Sequence, residues 1–282
     1  MEERWRFVDK TLRMWRIADL TYFDYNDIVE SLLRIELERK VDGKTAIVTG
    51  SSRGIGAGIA RDLAQRGANV VVNYTSTRGE VAAAELAKDI ESMGSRGAVV
   101  QANVAVFADL KRIIDTALAV SENGTIDLLV HNAATGDDCF LEEMTEEFYQ
   151  AQTDVNLKGT PVGGRIVLIT SVSARMGMPQ QTVYAGTKAA LEGICKVWAT
   201  ELGRKYDITV NCVSPGPVAT DMWKECEPEV IADFQPMIEA TPAAPRAGAV
   251  SDIVPIVAFL CSEESRWVTG SVVSASGGMS FI

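Results

Sequence analysis

Thr45-Ala46-Ile47-Val48-Thr49-Gly50-Ser51-Ser52-Arg53-Gly54-Ile55-Gly56 is the stretch that decides the fold. A short apolar run of strand length meets a glycine-rich turn, and a helical pattern predicted over Ile55–Gln65 follows at once. Glycine suits such a junction because it has no Cβ and turns sharply without strain. The same rhythm continues outward along the chain. Strand-length apolar runs recur at Thr45–Thr49, Asn69–Asn73, Ala98–Ala102, Ile126–Val130, Arg165–Thr170, Ile208–Val213 and Gly270–Ser274. Amphipathic stretches of helical length lie between several of them: Gly79–Met93, Leu110–Ser121 and Thr182–Arg204. The strand runs are continuously apolar rather than alternating, as for strands covered on both faces. Strand–helix alternation of this kind gives right-handed crossovers and a parallel sheet. The predicted fold class is α/β, a doubly wound parallel seven-stranded sheet in three layers.

Composition narrows the function classes. The chain has 282 residues, 47% hydrophobic and 23% charged, with a formal net charge of −11. Such apolar content excludes a disordered chain, and the acidic balance argues against binding nucleic acid or anionic membrane by general charge. The longest uncharged stretch, Trp267–Ile282, falls short of the roughly 18 apolar residues of a spanning helix. Cys139, Cys195, Cys212, Cys226 and Cys261 are odd in number and scattered, so reduced thiols in a cytoplasmic protein are expected and no metal site. Residues 1–42 differ from the rest. Trp5, Val8, Leu12 and Trp15, then Ile28, Leu32 and Ile35, fall at helical spacing. They are read as a helical N-terminal extension of unassigned role, an accessory arm or a partner-binding hairpin. Residues 43–282 are read as one domain.

The Gly turn on the first strand–helix junction suits a pyrophosphate. Close backbone approach and the exposed N–H groups of the helix start both favour an anion there. Gly50, Ser52, Arg53, Gly54, Ile55 and Gly56 are therefore candidate cofactor contacts. A dinucleotide site selective for NAD ends its second strand with an acidic residue that takes the ribose 2′-OH. Here that strand ends Val72-Asn73-Tyr74-Thr75-Ser76, without a carboxylate. Arg53 inside the turn can instead pair with a 2′-phosphate. The expected cofactor is NADP(H), with Asn73 and Tyr74 also assigned to its contacts.

The catalytic candidates follow the fifth strand. Ser171 stands at its C-terminal end, the side where ligands bind in such sheets. Tyr184-Ala185-Gly186-Thr187-Lys188 places a phenol and an ammonium one helical turn apart on one face. A cation there is expected to lower the Tyr184 pKa and let the phenol exchange a proton with a carbonyl or alcohol oxygen. The Ser171 hydroxyl can hold that oxygen as charge develops.

Together with Asn103-Val104, Asn132-Ala133, Asn156 in VNLKG and Asn211-Cys212-Val213-Ser214-Pro215-Gly216, these pieces resemble the short-chain dehydrogenase/reductase family from about residue 42 onward. The resemblance implies a Rossmann-like fold and a catalytic set of Asn156, Ser171, Tyr184 and Lys188. It implies that Lys188 holds the nicotinamide ribose and that Asn156 supports Lys188 through a water. It also puts Asn103 and Val104 near adenine, and Asn132 and Ala133 along the cofactor. Pro215, Gly216, Val218 and Thr220 would meet the carboxamide, and Asp221–Ala240 would form a substrate lid with Met222, Trp223 and Phe234 as apolar wall. VVVNY, GGRIVLITS and the WVTG ending are similar to fungal polyketide ketone reductases of naphthol and versicolorin type, with 3-oxoacyl-carrier-protein reductases close behind. The implied activity is NADPH-dependent reduction of an apolar or aromatic ketone in secondary metabolism, by a homo-oligomer.

Two positions depart from the family pattern. His131, the one histidine, stands where the family usually has Asn, and is read as a strand-end side chain making a local hydrogen bond. After Asn156 the chain runs Gly159-Thr160-Pro161-Val162-Gly163-Gly164, about three helical turns short of the pattern. A gene-model loss, a tolerated shortening and a catalytically impaired NADP-binding protein are the three readings. The oligomer interface built on that helix is in doubt with it.

Overall fold

The computed structural model describes residues 40–158, 164–226 and 228–281. Seven strands form one sheet: β1 (Thr45–Val48), β2 (Asn69–Tyr74), β3 (Gly97–Gln101), β4 (Leu128–His131), β5 (Arg165–Ile169), β6 (Thr209–Pro215) and β7 (Val272–Ala275). Their order is β3-β2-β1-β4-β5-β6-β7, and every pairing is parallel. The helices are α1 (Gly54–Gln65), α2 (Glu80–Ser92), α3 (Phe107–Val120), α4 (Glu146–Leu157), α5 (Thr182–Tyr206), α6 (Asp221–Lys224), α7 (Pro228–Glu239) and α8 (Val250–Cys261). None of the described helices is long and apolar enough to cross a membrane.

Successive strand residues point to opposite faces, which explains the unbroken apolar runs. Val48, Val70, Val72, Val130 and Val213 face one layer with Ile59 and Leu63 of α1, Ile90 of α2 and Ile253 and Leu260 of α8. Their neighbours Ile47, Val71, Leu129 and Cys212 face the other with Ile113 of α3 and Leu191 of α5. Each face buries its own core, so both must be apolar. The sheet order reverses between β1 and β4, and the crevice at their C-terminal ends is where such sheets bind ligands.

The proposed extension lies outside the described residues except at its end. Val41, counted with it by sequence, is buried in the first core, and its N–H donates to the Arg66 carbonyl at 3.3 Å. The shortened segment, residues 159–163, also lies outside the described residues, but its ends are defined. The Lys158 carbonyl lies 3.3 Å from His131 Nε2 at the C-terminal end of β4. The Gly164 N–H donates to the Asp127 carbonyl at 2.7 Å, just before β4 begins. The two ends are about 13 Å apart along β4. Six chain steps reach at most about 20–22 Å, enough to span that distance.

Candidate active site

The Gly turn is pinned from two strands. Gly50 has φ +61°, and a Cβ there would lie 2.9 Å from Ala133 Cα. A Cβ on Gly56 would lie 2.5 Å from Asn132 Nδ2 and 2.6 Å from the Gly50 carbonyl. Asn132 Nδ2 donates to the Thr49 carbonyl at 2.9 Å, and the N–H groups of Asn132 and Ala133 donate to Thr49 Oγ1 at 2.9 and 3.0 Å. The Gly50 N–H donates to Asn73 Oδ1 at 3.0 Å, while Asn73 Nδ2 donates to the Ala102 carbonyl at 3.0 Å. Asn73 and Tyr74, expected at the cofactor, are thus buried. Asn73 spends its amide on the turn and on β3, so it shapes the cradle from below. Val104 is likewise buried in the second core. Asn103 stays at the sheet edge, its Oδ1 accepting from the Ala105 N–H at 3.0 Å.

The cradle suits a dinucleotide. Ser52 and Ile55 stay half-buried at the mouth, and α1 carries no acidic residue in its first turn, so nothing offsets the positive helix start. Arg53 has a partner that sequence reading missed. Arg78, in the 3-10 turn Thr77–Gly79 after β2, reaches the same place. Both guanidiniums bond Glu225 Oε1, Arg53 at 3.2 Å and Arg78 at 2.5 Å. A Cβ on Gly79 would lie 2.9 Å from Ser52 Oγ, which shows how closely that 3-10 turn lies on the Gly turn.

Ser171 caps the 3-10 turn Val172–Ala174, its Oγ accepting from the Ser173 N–H at 3.1 Å. Tyr184 and Lys188 occupy the first two turns of α5, and Ser171 lies near enough to the Tyr184 phenol to favour its ionised form. Lys188 is buried, its Nζ donating to the Ile169 carbonyl at 2.8 Å and standing 5.6 Å from the Tyr184 ring centre. Contacts of 2.8 and 2.5 Å from Arg175 to the buried Glu192 tie the segment after Ser171 to α5. Gly136, where a Cβ would lie 3.2 Å from the Tyr184 ring, lets the loop after β4 pass over the phenol.

The electrostatics correct one expectation. Burial pushes the Tyr184 phenol above its ordinary value, against the opposing pull of the nearby Ser171 hydroxyl, with Asp138 and Cys226 adding to the rise. Burial also pulls Lys188 down to about 8. The chain's own groups therefore raise the Tyr184 pKa instead of lowering it, because burial outweighs the opposing effect of Ser171.

Asn156 is fully buried on α4 despite the shortened connection. Its Oδ1 accepts from the Thr135 N–H at 2.9 Å, and its Nδ2 donates to the Thr135 carbonyl at 3.0 Å and to Thr187 Oγ1 at 3.1 Å. These bonds secure Thr187, the residue next to Lys188. His131 contacts the Lys158 carbonyl, a partner 27 residues along the chain rather than the local one expected, and burial, then Lys188, hold its pKa down to about 4.

The turn from Pro215 to Thr220 closes the site. Gly216 lies against Ser276 and Met279, buried Val218 bridges to Gly248, and Thr220 touches Gly54. Beyond it Trp223 meets Phe234 edge-on with ring centres 5.4 Å apart. Phe234 is buried and Met222 exposed, so the expected apolar wall is partly the lid's own packing. Asp138, which sequence reading missed, has a buried Oδ1 without a hydrogen bond, and burial raises its carboxyl above the usual range.

Comparisons with known proteins agree with this geometry. A family model described as enoyl-(acyl carrier protein) reductase matches residues 50–280. The chain is 46% identical over 250 residues to the short-chain dehydrogenase/reductase FrzI of a Cladobotryum species, covering 84% of this chain and 95% of that one. It is 38% identical over 264 residues to the hydroxynaphthalene reductase-like protein Arp2 of Metarhizium robertsii, covering 86% and 97%. The crystal structure of the angucycline C-6 ketoreductase LanV with bound NADP superposes with a TM-score of 0.76 at 35% identity, covering 85% and 96%. The turn, the Ser–Tyr–Lys cluster and these likenesses converge: the chain belongs to the short-chain dehydrogenase/reductase family of oxidoreductases.

Proposed function

We propose that this chain is an NADPH-dependent ketone reductase acting on an apolar, polyketide-like aromatic substrate. The observation that carries the reading is the grouping of Ser171, Tyr184 and buried Lys188, whose Nζ stands 5.6 Å from the Tyr184 ring centre, at the sheet edge that also bears the Gly turn. Gly50, Ser52, Gly54, Ile55 and Gly56 would hold the pyrophosphate, Arg53 and Arg78 the 2′-phosphate, Asn103 the adenine end, and Lys188 the nicotinamide ribose. Asn132, Ala133, Pro215, Gly216, Val218 and Thr220 would frame the rest. When bound, the reduced nicotinamide supplies a hydride to the carbonyl carbon.

The chain's residues supply the rest. The Tyr184 O–H donates its proton to the carbonyl oxygen, a role that needs the phenol protonated, as burial keeps it. Ser171 donates a hydrogen bond to the same oxygen as it gains charge. Lys188 keeps a positive charge beneath the Tyr184 ring and so stabilises the phenolate left behind. Asn156 acts at one remove, fixing Thr135 and Thr187 around that pair.

LanV is an angucycline ketoreductase and Arp2 is hydroxynaphthalene reductase-like. Both names support a fused aromatic ketone over the carrier-bound acyl ketone of a 3-oxoacyl-carrier-protein reductase. The buried placement of Asn156 supports a working site over an impaired one. The test is NADPH consumption against hydroxynaphthalenones, anthrones and acyl thioesters. Turnover of the fused aromatic ketones is expected. NADPH binding without turnover of any of them would overturn the enzymatic reading.

A further inference from the structure

Glu225 is an anion that the chain itself brings to its arginine pair. It follows α6, whose start at Thr220 packs on Gly54 of the Gly turn. Its Oε1 is shared by Arg53, inside that turn, and Arg78, beyond β2. These arginines lie on separate segments, and among the described residues neither guanidinium makes another hydrogen bond. Among the described residues no other carboxylate pairs with either. The two guanidiniums lower the Glu225 pKa, Arg78 contributing most.

Two converging guanidiniums are also what a 2′-phosphate needs, and one seat cannot serve both anions at full strength. We propose that Glu225 is a cofactor-selectivity residue: a tethered carboxylate that occupies the 2′-phosphate seat and must be displaced for NADPH to bind. This rests on the NADP(H) reading above and extends it to the lid. A ribose bearing only a 2′-OH brings no competing charge and leaves the Glu225 contacts intact. A 2′-phosphate takes the arginines and releases the carboxylate, and with it the segment that carries Trp223. Phosphate recognition and lid release thereby become one event. Native selectivity for NADPH is correspondingly lower than the arginine pair alone would give.

The test is binding to the full chain, without turnover. Dissociation constants for NADPH and NADH are measured for the native protein and for Glu225→Gln, which keeps size and removes charge. Exposed ion pairs of this kind together shift an equilibrium by about threefold to tenfold. Glu225→Gln is expected to raise the NADPH-over-NADH preference by that factor, mainly by tightening NADPH. In parallel, 2′,5′-ADP is expected to change tryptophan emission where 5′-ADP does not, and Trp223→Phe to abolish the change. A native protein without NADPH preference overturns both the cofactor reading and this proposal. A native preference that Glu225→Gln leaves unchanged or lowers overturns the proposal alone.

Discussion

His131 illustrates how a single substitution is accommodated. Its imidazole lies buried beside Lys188, and its Nε2 meets the carbonyl of Lys158, the residue after the last turn of α4. Where α4 stops early, an unpaired C-terminal carbonyl would otherwise be exposed. The pKa of about 4 lies below the ordinary 6.5, so the folded protein binds this proton less readily than the unfolded chain. Its stabilising contribution is therefore complete above about pH 6.5 and is lost as the pH falls from there towards 4. Urea midpoints measured from pH 7.5 to 4 are expected to fall more steeply for the native chain than for His131→Asn. The difference should reach at most about 3 kcal/mol. Parallel curves would contradict it. Sequence reading identified the residue as structural; the burial that sets its pKa is a tertiary property and left no mark in the sequence.

Elements hold the reacting groups at fixed separations. Ser171 comes from the end of β5 and Tyr184 from the start of α5, and residues 172–181 connect them. The Arg175–Glu192 pair closes that connection onto α5, one turn beyond Lys188, with Glu192 only 5% exposed. Removing the arginine strands a buried carboxylate, a change that costs about 3–5 kcal/mol where both partners are buried and less here, since Arg175 is 35% exposed. Arg175→Ala is expected to lower Tm and, at temperatures where the variant is folded, to reduce kcat more than it raises KM. An unchanged kcat in the folded variant would show that the pair serves stability alone. The strands and helices named by sequence stand within about three residues of their predicted ends because apolar period and turn glycines are local signals. α3 begins at Phe107 rather than Leu110 because its first turn is exposed and lacks the apolar stripe. Arg78, Asp138 and Glu225 were not legible, since only folding brings their distant segments together.

At the scale of the molecule, the sheet gathers the Gly turn, Ser171 and the start of α5 at one edge, as the alternating strand–helix pattern foretold. The pattern could not show that Asn156 stays in place across a shortened connection. That depended on three-dimensional distances: Lys158 and Gly164 lie at the two ends of the short strand β4, within reach of six chain steps. The central claim is that this edge reduces a ketone with Tyr184 as proton donor. The most direct measurement follows a deuterium label from the C4 position of NADPH, with both C4 epimers tried, into a hydroxynaphthalenone. The native chain is expected to place the label on the carbinol carbon of the product. Tyr184→Phe is expected to bind NADPH as well as the native chain and to transfer the label about 10²–10⁴-fold more slowly. Absence of the label from the native product, or equal transfer by Tyr184→Phe, would contradict the account.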